Sequence, residues 1–223
     1  MHRVYLIDQH PVVRLGLAAL MKDSSNFEIC GECDSARKAL QIVPDVRPGL
    51  VVTNIMLPDM NGLELIKELQ ALCPDVPVLV FSDRDEMLYA ERVVKAGGKG
   101  YISKEASPEA IVEAMSQTAK GNIFLTAAVT NHLLLSLSGN GNRNRRRNLE
   151  QLSDRELEVY ELIGRGKGTH DIADQLCICI RTVEAHRTHI REKLGLPNAA
   201  DVIRHAVMWV EAKTEDVANF PRQ

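Results

Sequence analysis

The stretch Val76-Pro77-Val78-Leu79-Val80-Phe81 is followed by a helical pattern over Glu86 to Lys95, then by Gly97-Gly98 and by Gly100-Tyr101-Ile102. Val78-Leu79-Val80 is continuously apolar rather than alternating, the form of a strand covered on both faces, as strands of parallel sheets are. Gly97-Gly98 supplies the left-handed stop that ends the helix before the next strand. The segment therefore reads as one strand, helix, strand unit of a parallel sheet. The same alternation extends outward on both sides. Val4-Tyr5-Leu6-Ile7 reads as the first buried strand, and Val12 to Met21 as a helix with Val12, Leu15, Ala19 and Leu20 facing inward. Further strands are expected at Glu28 to Gly31 and Leu50 to Thr53, with helices near Ala36 to Ile42, Gly62 to Leu72 and Pro108 to Ala119. Five strands and five helices make an α/β unit with a doubly wound parallel sheet.

Beyond it, Ser138 to Asn148 is a polar run of Gly, Asn and Arg that buries too little apolar surface to fold alone, so a linker is expected there. Its four arginines suit either phosphate contact or plain solvation. Leu152-Ser153-Asp154-Arg155-Glu156-Leu157 then has the form of a capped helix start. Ser153 and Glu156 stand at capping-box spacing, with Leu152 and Leu157 at staple positions. Helical patterns follow at Glu158 to Ile163, His170 to Leu176, Arg181 to Leu194 and Ala199 to Val210, broken at Gly164 to Gly168 and Gly195 to Asn198. Four short helices imply a small all-α domain. The expected division is a first domain over 1–122, a connecting helix and linker over 123–150, the helical domain over 151–213 and a tail over 214–223.

The 223 residues are 45% hydrophobic and 26% charged, a globular composition. With 4% aromatic residues, a stacking platform for single-stranded nucleic acid is not expected. No apolar run approaches the ~20 residues of a membrane helix, and no secretory leader is legible, so a cytoplasmic protein is expected. The net charge is −3: residues 1–142 hold 13 Lys and Arg against 17 Asp and Glu, and residues 143–223 hold 14 against 13. Neither balance decides a partner. Five cysteines at 30, 33, 73, 177 and 179 form no disulfide framework or complete zinc-ligand set, and ordinary small buried residues are the expected reading.

The helices His170 to Leu176 and Arg181 to Leu194 have the length and spacing of a helix-turn-helix. On the second, Val183, Ile190 and Leu194 share an inward face, flanked by His186 and Arg187, while Arg181, Glu184, Ala185, Thr188, Arg191 and Glu192 lie opposite. That face suits a major groove, with Arg181, Arg187, Arg191 and Lys193 as phosphate partners; a solvated helix face fits the same spacing. The residues Leu152-Ser153, Arg155-Glu156, Glu158-Val159, Gly166, Ile172-Ala173, Leu176, Thr182-Val183-Glu184, His186, Ile190 and Lys193-Leu194-Gly195 resemble a LuxR-type helix-turn-helix domain. The resemblance makes Thr182 to Leu194 the recognition helix and Glu184, Ala185 and Thr188 its base-reading candidates. Cys179 departs from it where a Ser usually caps that helix, and His170 where Lys is frequent.

The first domain is similar to a response-regulator receiver, a flavodoxin-like fold, through Ile7-Asp8-Gln9-His10-Pro11, Leu57-Pro58-Asp59-Met60-Asn61-Gly62, Phe81-Ser82 and Lys95 to Lys104. With the helical domain it resembles the NarL/FixJ subfamily over nearly the whole chain. The resemblance assigns Ser82 as the hydroxyl that meets a phosphoryl group, Lys104 as its cation and Tyr101 as the switch aromatic. It also exposes two departures. Asn54 stands at the phosphoacceptor position, and an amide has no carboxylate oxygen to attack a phosphoryl donor. Of the usual acidic pair only Asp8 remains, beside Gln9, so three expected carboxylates have fallen to one and Mg²⁺ binding is expected to be weak.

The expectation is a non-enzymatic transcription regulator that binds double-stranded DNA, as a homodimer, with a pseudo-receiver independent of Asp phosphorylation and no resident cofactor. A sensor kinase or another regulator is a further candidate partner. The alternatives are a phosphorelay regulator, or a protein that acts by sequestering a partner through its receiver.

Overall fold

A computed structural model describes residues 1–22, 24, 26–137 and 149–218. The Ser138 to Asn148 linker expected from composition lies outside the described residues. The chain divides into two compact units, 1–141 and 142–223.

The first unit is a five-stranded parallel sheet in the order β2-β1-β3-β4-β5. Its strands are β1 (His2–Ile7), β2 (Phe27–Cys33), β3 (Leu50–Thr53), β4 (Val78–Ser82) and β5 (Gly100–Ser103). The intervening helices are α1 (Pro11–Lys22), α2 (Ala36–Val46), α3 (Gly62–Leu72), α4 (Glu86–Lys95) and α5 (Pro108–Ala119). Alternate strand residues face one layer. Val4 and Leu6, Leu50 and Val52, Leu79 and Phe81, and Ile102 meet Leu17 and Met21 of α1 and Ile111, Ala114 and Met115 of α5 in one buried cluster. Burying each such side chain contributes ~1.5–3 kcal/mol. On the other layer α2 packs on α3 and α3 on α4. Gly97 has φ +100°, the left-handed stop expected of it.

Two sequence expectations fail here for reasons of helix phase and proline placement. On α1, Val12 and Leu15 are 79% and 68% exposed and Ala19 is exposed, whereas Leu17 and Met21 are buried with Val13 and Leu20 packed beside them. The helix is apolar around most of its circumference, so i, i+3, i+4 spacing describes two stripes equally well and does not select between them. α2 continues past its expected end at Ile42, through Pro44 to Val46, and stops at Arg47 in the left-handed region, φ 42°.

After α5 the chain returns along the outer edge of β5. The Phe124 amide donates to Lys99 O (2.8 Å) and the Tyr101 amide to Phe124 O (3.1 Å), covering that edge before α6 (Ala127–Leu137) packs on α4.

The second unit holds α7 (Asp154–Gly164), α8 (Thr169–Gln175), α9 (Ile180–Leu194) and α10 (Ala199–Ala218). Ser153 caps α7 in a complete capping box with Glu156, and Leu152 and Leu157 are both buried. A Cβ on Gly164 would stand 2.5 Å from Ala206 O, so α7 and α10 cross at a distance only glycine permits. α10 runs beyond the expected end at Val210 because no Gly or Pro intervenes before Pro221. Among the described residues no helix is long and apolar enough to cross a membrane.

Asp59 ties the loop after β3 to the start of α2. Its carboxylate accepts from the Ser35 hydroxyl (2.7 Å) and from the amides of Ala36 (3.0 Å) and Arg37 (2.9 Å). Burial pushes its pKa up, but these hydrogen bonds outweigh burial and hold it below the usual carboxylate value. A depressed folded-state pKa contributes stability above the unfolded value that is lost as pH falls through the folded one. Asp59→Ala is therefore expected to destabilise the chain by ~1–3 kcal/mol at neutral pH, with the difference from wild type shrinking below pH ~4. Urea unfolding at pH 7 and pH 3 checks both.

Candidate functional site: the receiver pocket and the recognition helix

The carboxyl ends of β1, β3, β4 and β5 gather the receiver-pocket residues, because sheet order reverses between β1 and β3 and leaves a crevice there. Asp8 follows β1 and is 4% exposed; Asn54 follows β3 and is 2% exposed; Ser82 ends β4 fully buried; Lys104 follows β5. The Asn54 amide donates to Ile7 O (3.1 Å), which holds the loop after β3 against β1. Gly62, at the start of α3, makes that loop possible. A Cβ there would lie 2.4 Å from Asn54 O and 2.8 Å from Ile55 Cα.

The polar groups pair off among themselves. Lys104 Nζ donates to Asp8 Oδ2 (2.6 Å), and the Ser82 hydroxyl donates to Asn54 Oδ1 (2.9 Å). Asp8 Oδ1 accepts from the His10 amide (2.8 Å) and has His10 Nδ1 at 3.1 Å. The Lys104 amide donates to Ser82 O (2.9 Å) and the Tyr101 hydroxyl to Arg84 O (2.7 Å), so the loop after β4 is held from two sides. Tyr101 is buried, whereas Gln9 is exposed with its amide beside the His10 ring. The structure thus brings Asp8, Asn54, Ser82 and Lys104 together, places Tyr101 in β5 with its hydroxyl on the loop after β4, and leaves Gln9 outside. His10 and the buried Arg84 were not singled out from the sequence. Nothing in residue type or spacing marks Arg84, whose part here is played by its carbonyl.

This donor set does not fit Mg²⁺. A hard divalent cation requires several oxygen ligands with anionic character. The pocket's one carboxylate already accepts from Lys104 and His10, and the Asn54 amide oxygen already accepts from Ser82. Among the described residues no group of three or more His, Cys, Asp and Glu is placed to hold a metal ion.

In the helical unit, α9 is fixed by burial of Val183, Ile190 and Leu194, the three inward residues read from the sequence. Its other anchor is polar. Glu156, buried at the start of α7, accepts from the Ser153 amide (2.7 Å) and from Lys193 Nζ (2.6 Å), with His189 Nδ1 at 3.6 Å. Burial raises the Glu156 pKa, but Lys193 and the Ser153 bonds prevail and hold it below the usual value. The same burial, more strongly than the nearby charges, lowers the His186 pKa and favours its neutral ring. Arg155 bridges Glu158 (2.7 Å) and Leu176 O (2.6 Å), tying α7 to the end of α8.

Of the sequence-selected DNA candidates, Arg181, Glu184, Ala185 and Thr188 are exposed, and Thr182, Arg187 and Arg191 are half-buried. Glu184, Arg187, Thr188 and Arg191 line one shallow depression with Ala199 and Val202 of α10. Glu184 Oε1 accepts from the Thr169 hydroxyl (2.9 Å), and the Thr188 hydroxyl donates to Glu184 O (3.0 Å). Lys193 is set apart from this group by its bond to Glu156. Sequence spacing pointed to Glu156 only as a capping residue; its second partner sits 37 positions away and leaves no local trace. Cys177 and Cys179 are exposed, contrary to the expectation of buried cysteines, because they lie in the turn between α8 and α9 rather than on an inward face. Cys30 is half-buried and Cys33 and Cys73 are buried.

Comparison with known proteins agrees with this geometry. Residues 4–116 match the response regulator receiver domain, and residues 150–206 match the bacterial regulatory proteins of the luxR family. The chain is 33% identical to the transcriptional activator protein ExaE of Pseudomonas putida over 92% of this chain and 95% of that one. It is 29% identical to the oxygen regulatory protein NreC of Staphylococcus aureus (strain JH9) over 92% and 96%. Its fold is similar to RcsB of Salmonella enterica serovar Typhimurium, with a TM-score of 0.66 at 20% identity over 92% of this chain and 98% of that one. The chain belongs to the response regulators that join a receiver domain to a LuxR-type helix-turn-helix, and it is a transcriptional regulator of that family.

Proposed function

We propose that the protein binds duplex DNA through α9, as a homodimer, and that its receiver works without phosphorylation of an aspartate. The observation that carries the second part is the self-neutralised pocket. Lys104 is paired with the single carboxylate Asp8, and Asn54 stands as an acceptor for Ser82 where an attacking carboxylate would be needed. A phosphoryl donor entering this pocket would find an amide at residue 54, a single carboxylate already bonded to Lys104, and no set of anionic oxygens to hold a metal that offsets the repulsion between anionic oxygens. The DNA reading is supported by the LuxR-type domain and by the exposure of Glu184, Ala185 and Thr188 on α9, which this reading assigns to base edges. Arg181, Arg187 and Arg191 flank them as phosphate partners. RcsB is solved on promoter DNA, and elsewhere as two dimers on two parallel DNAs, which supports a dimeric DNA complex. Glu184 reads bases only if it leaves Thr169. Lys193, engaged by Glu156, contributes to DNA contact through the position of α9 rather than through a phosphate.

The division of labour follows from chemistry. The pocket keeps the hydrogen bonds that hold the loop after β4 but not the charge change that phosphorylation would bring. Inputs then arrive through a protein partner, a sensor kinase or another regulator, at the receiver surface.

Intact mass after acetyl phosphate and Mg²⁺ is expected to show no added phosphoryl group; one mapped to any pocket residue would restore the phosphorelay reading. Asn54→Asp alone is expected to label slowly, because Gln9 leaves the metal short of an anionic ligand, and Gln9→Asp with Asn54→Asp to label measurably faster. Equal rates and equal Mg²⁺ midpoints would show that Gln9 is not limiting. On duplexes selected from a random pool, replacing Glu184 or Thr188 is expected to shift base preference by ~1–3 kcal/mol, whereas Arg181→Ala weakens all duplexes alike. Failure of the wild-type chain to bind any duplex would leave sequestration through the receiver as the better account.

A further inference from the structure

The turn between α8 and α9 carries two exposed thiols, and Cys177 Sγ donates to Asp174 O (3.8 Å). Cys177 closes α8 in the left-handed region, φ 51°, where its amide donates to Asp174 O (3.3 Å) and the Ile178 amide donates to Ala173 O (3.0 Å). Cys179 is the N-cap of α9 in extended conformation, and its Sγ lies 3.0 Å from Thr182 Oγ1. One residue, Ile178, separates them. α-Carbons spaced this way stand at most ~7 Å apart, a limit that overlaps the ~4.4–6.8 Å that a disulfide spans.

The five cysteines differ in chemistry. The Thr182 hydroxyl, and behind it the amides at the start of α9, favour the Cys179 thiolate and hold its pKa below the ordinary thiol value. Burial pushes the Cys30 and Cys33 thiols up, and Cys73 is shielded inside the first unit. Reactivity toward an electrophile follows thiolate character and access together, and Cys179 combines the two.

We propose that Cys177 and Cys179 form a dithiol that hydroperoxides oxidise, with Cys179 as the attacking sulfur and Cys177 as the resolving one. In the first step the Cys179 thiolate attacks a peroxide oxygen. An S–O bond forms, the O–O bond breaks, and the departing oxygen leaves as alkoxide or hydroxide and takes up a proton. Sulfur is oxidised by two electrons to the sulfenic acid and the peroxide is reduced. In the second step the Cys177 sulfur attacks Cys179 sulfur; the S–S bond forms, the S–O bond breaks, and the hydroxide leaves as water with the Cys177 proton. The sum is two thiols and one hydroperoxide giving a disulfide, water and an alcohol, or two waters from hydrogen peroxide. Oxidation takes Cys179 Sγ off Thr182 and closes a small ring in the turn that sets where α9 begins. Arg181, Thr182 and Glu184 then leave the orientation they hold in the reduced chain, and duplex binding falls. This last consequence rests on the DNA reading above.

The test uses the full chain treated with hydrogen peroxide, then alkylated, digested and weighed. The expected product is a peptide holding Cys177 and Cys179 that has lost two hydrogens and resists alkylation, while Cys30, Cys33 and Cys73 are recovered alkylated. Cys177→Ser is expected to stop at a sulfenic acid on Cys179 that dimedone traps. Uniform oxidation of all five cysteines, an interchain crosslink in place of the internal ring, or no adduct at Cys179 would overturn the assignment. In parallel, the oxidised chain is expected to bind its selected duplex ~10-fold or more weakly, to recover with dithiothreitol, and to lose this sensitivity in the Cys177→Ser with Cys179→Ser double variant. A disulfide that forms without weakening binding would overturn the link to α9. If the reduced chain binds no duplex, the DNA reading fails, while the peptide masses still decide the thiol chemistry.

Discussion

A buried carboxylate must be neutralised where it stands, and the receiver pocket is organised by how Asp8 meets that requirement. Asp8 lies at the end of β1, and its partner Lys104 lies 96 positions along the chain at the end of β5, with β3 and β4 between them in the sheet. The pair spans the crevice and accounts for all the formal charge of Asp8, Asn54, Ser82 and Lys104. A carboxylate at residue 54 or 9 would add a negative charge beyond the one that Lys104 balances in this set. Asn54 and Gln9 add no such charge. The two departures from the receiver pattern thus act in one electrostatic direction, each setting a neutral amide where a carboxylate is expected.

The helical unit repeats the arrangement with other residues. Glu156 is buried at the start of α7, and Lys193 reaches it from the last turn of α9. Because Glu156 also closes the capping box with Ser153, one carboxylate fixes both where α7 begins and how α9 lies on it. Removing Lys193 would leave a buried charge held by Ser153 without its cation, a larger penalty than the loss of one exposed phosphate contact. α9 is therefore positioned from its C-terminal end by charge and along its length by Val183, Ile190 and Leu194.

What the sequence made legible follows the range over which each signal acts. The strands and most helices were readable because continuous apolar runs, glycine stops and the Ser153 to Glu156 box are local patterns. α1 was misread because a helix apolar on two sides carries no phase information, and only the position of the sheet decides that Leu17 and Met21, not Val12 and Leu15, are buried. The pocket residues were found through resemblance, but their pairing was not. Ser82 takes Asn54 and Lys104 takes Asp8, a choice set by where the ends of four strands meet. Lys193 and Glu156 show the same limit in the second unit. The exposure of Cys177 and Cys179 depends on a left-handed residue at Cys177, a conformation that residue type does not announce in cysteine.

The pocket also bears on how such a receiver carries information. Ser82, Asn54, the Lys104 amide and the Tyr101 hydroxyl hold the loop after β4 through hydrogen bonds between groups that do not change charge near neutral pH. A two-state loop moves only when something binds its states unequally, and each tenfold shift in population takes ~1.4 kcal/mol of that difference. Phosphorylation supplies such a difference by placing new charge beside the serine and the lysine. Here the amide of Asn54 stands at the acceptor position, and Lys104 is paired with Asp8. On the proposed reading, such a difference would come from outside the pocket, through a partner that grips one arrangement of the receiver surface.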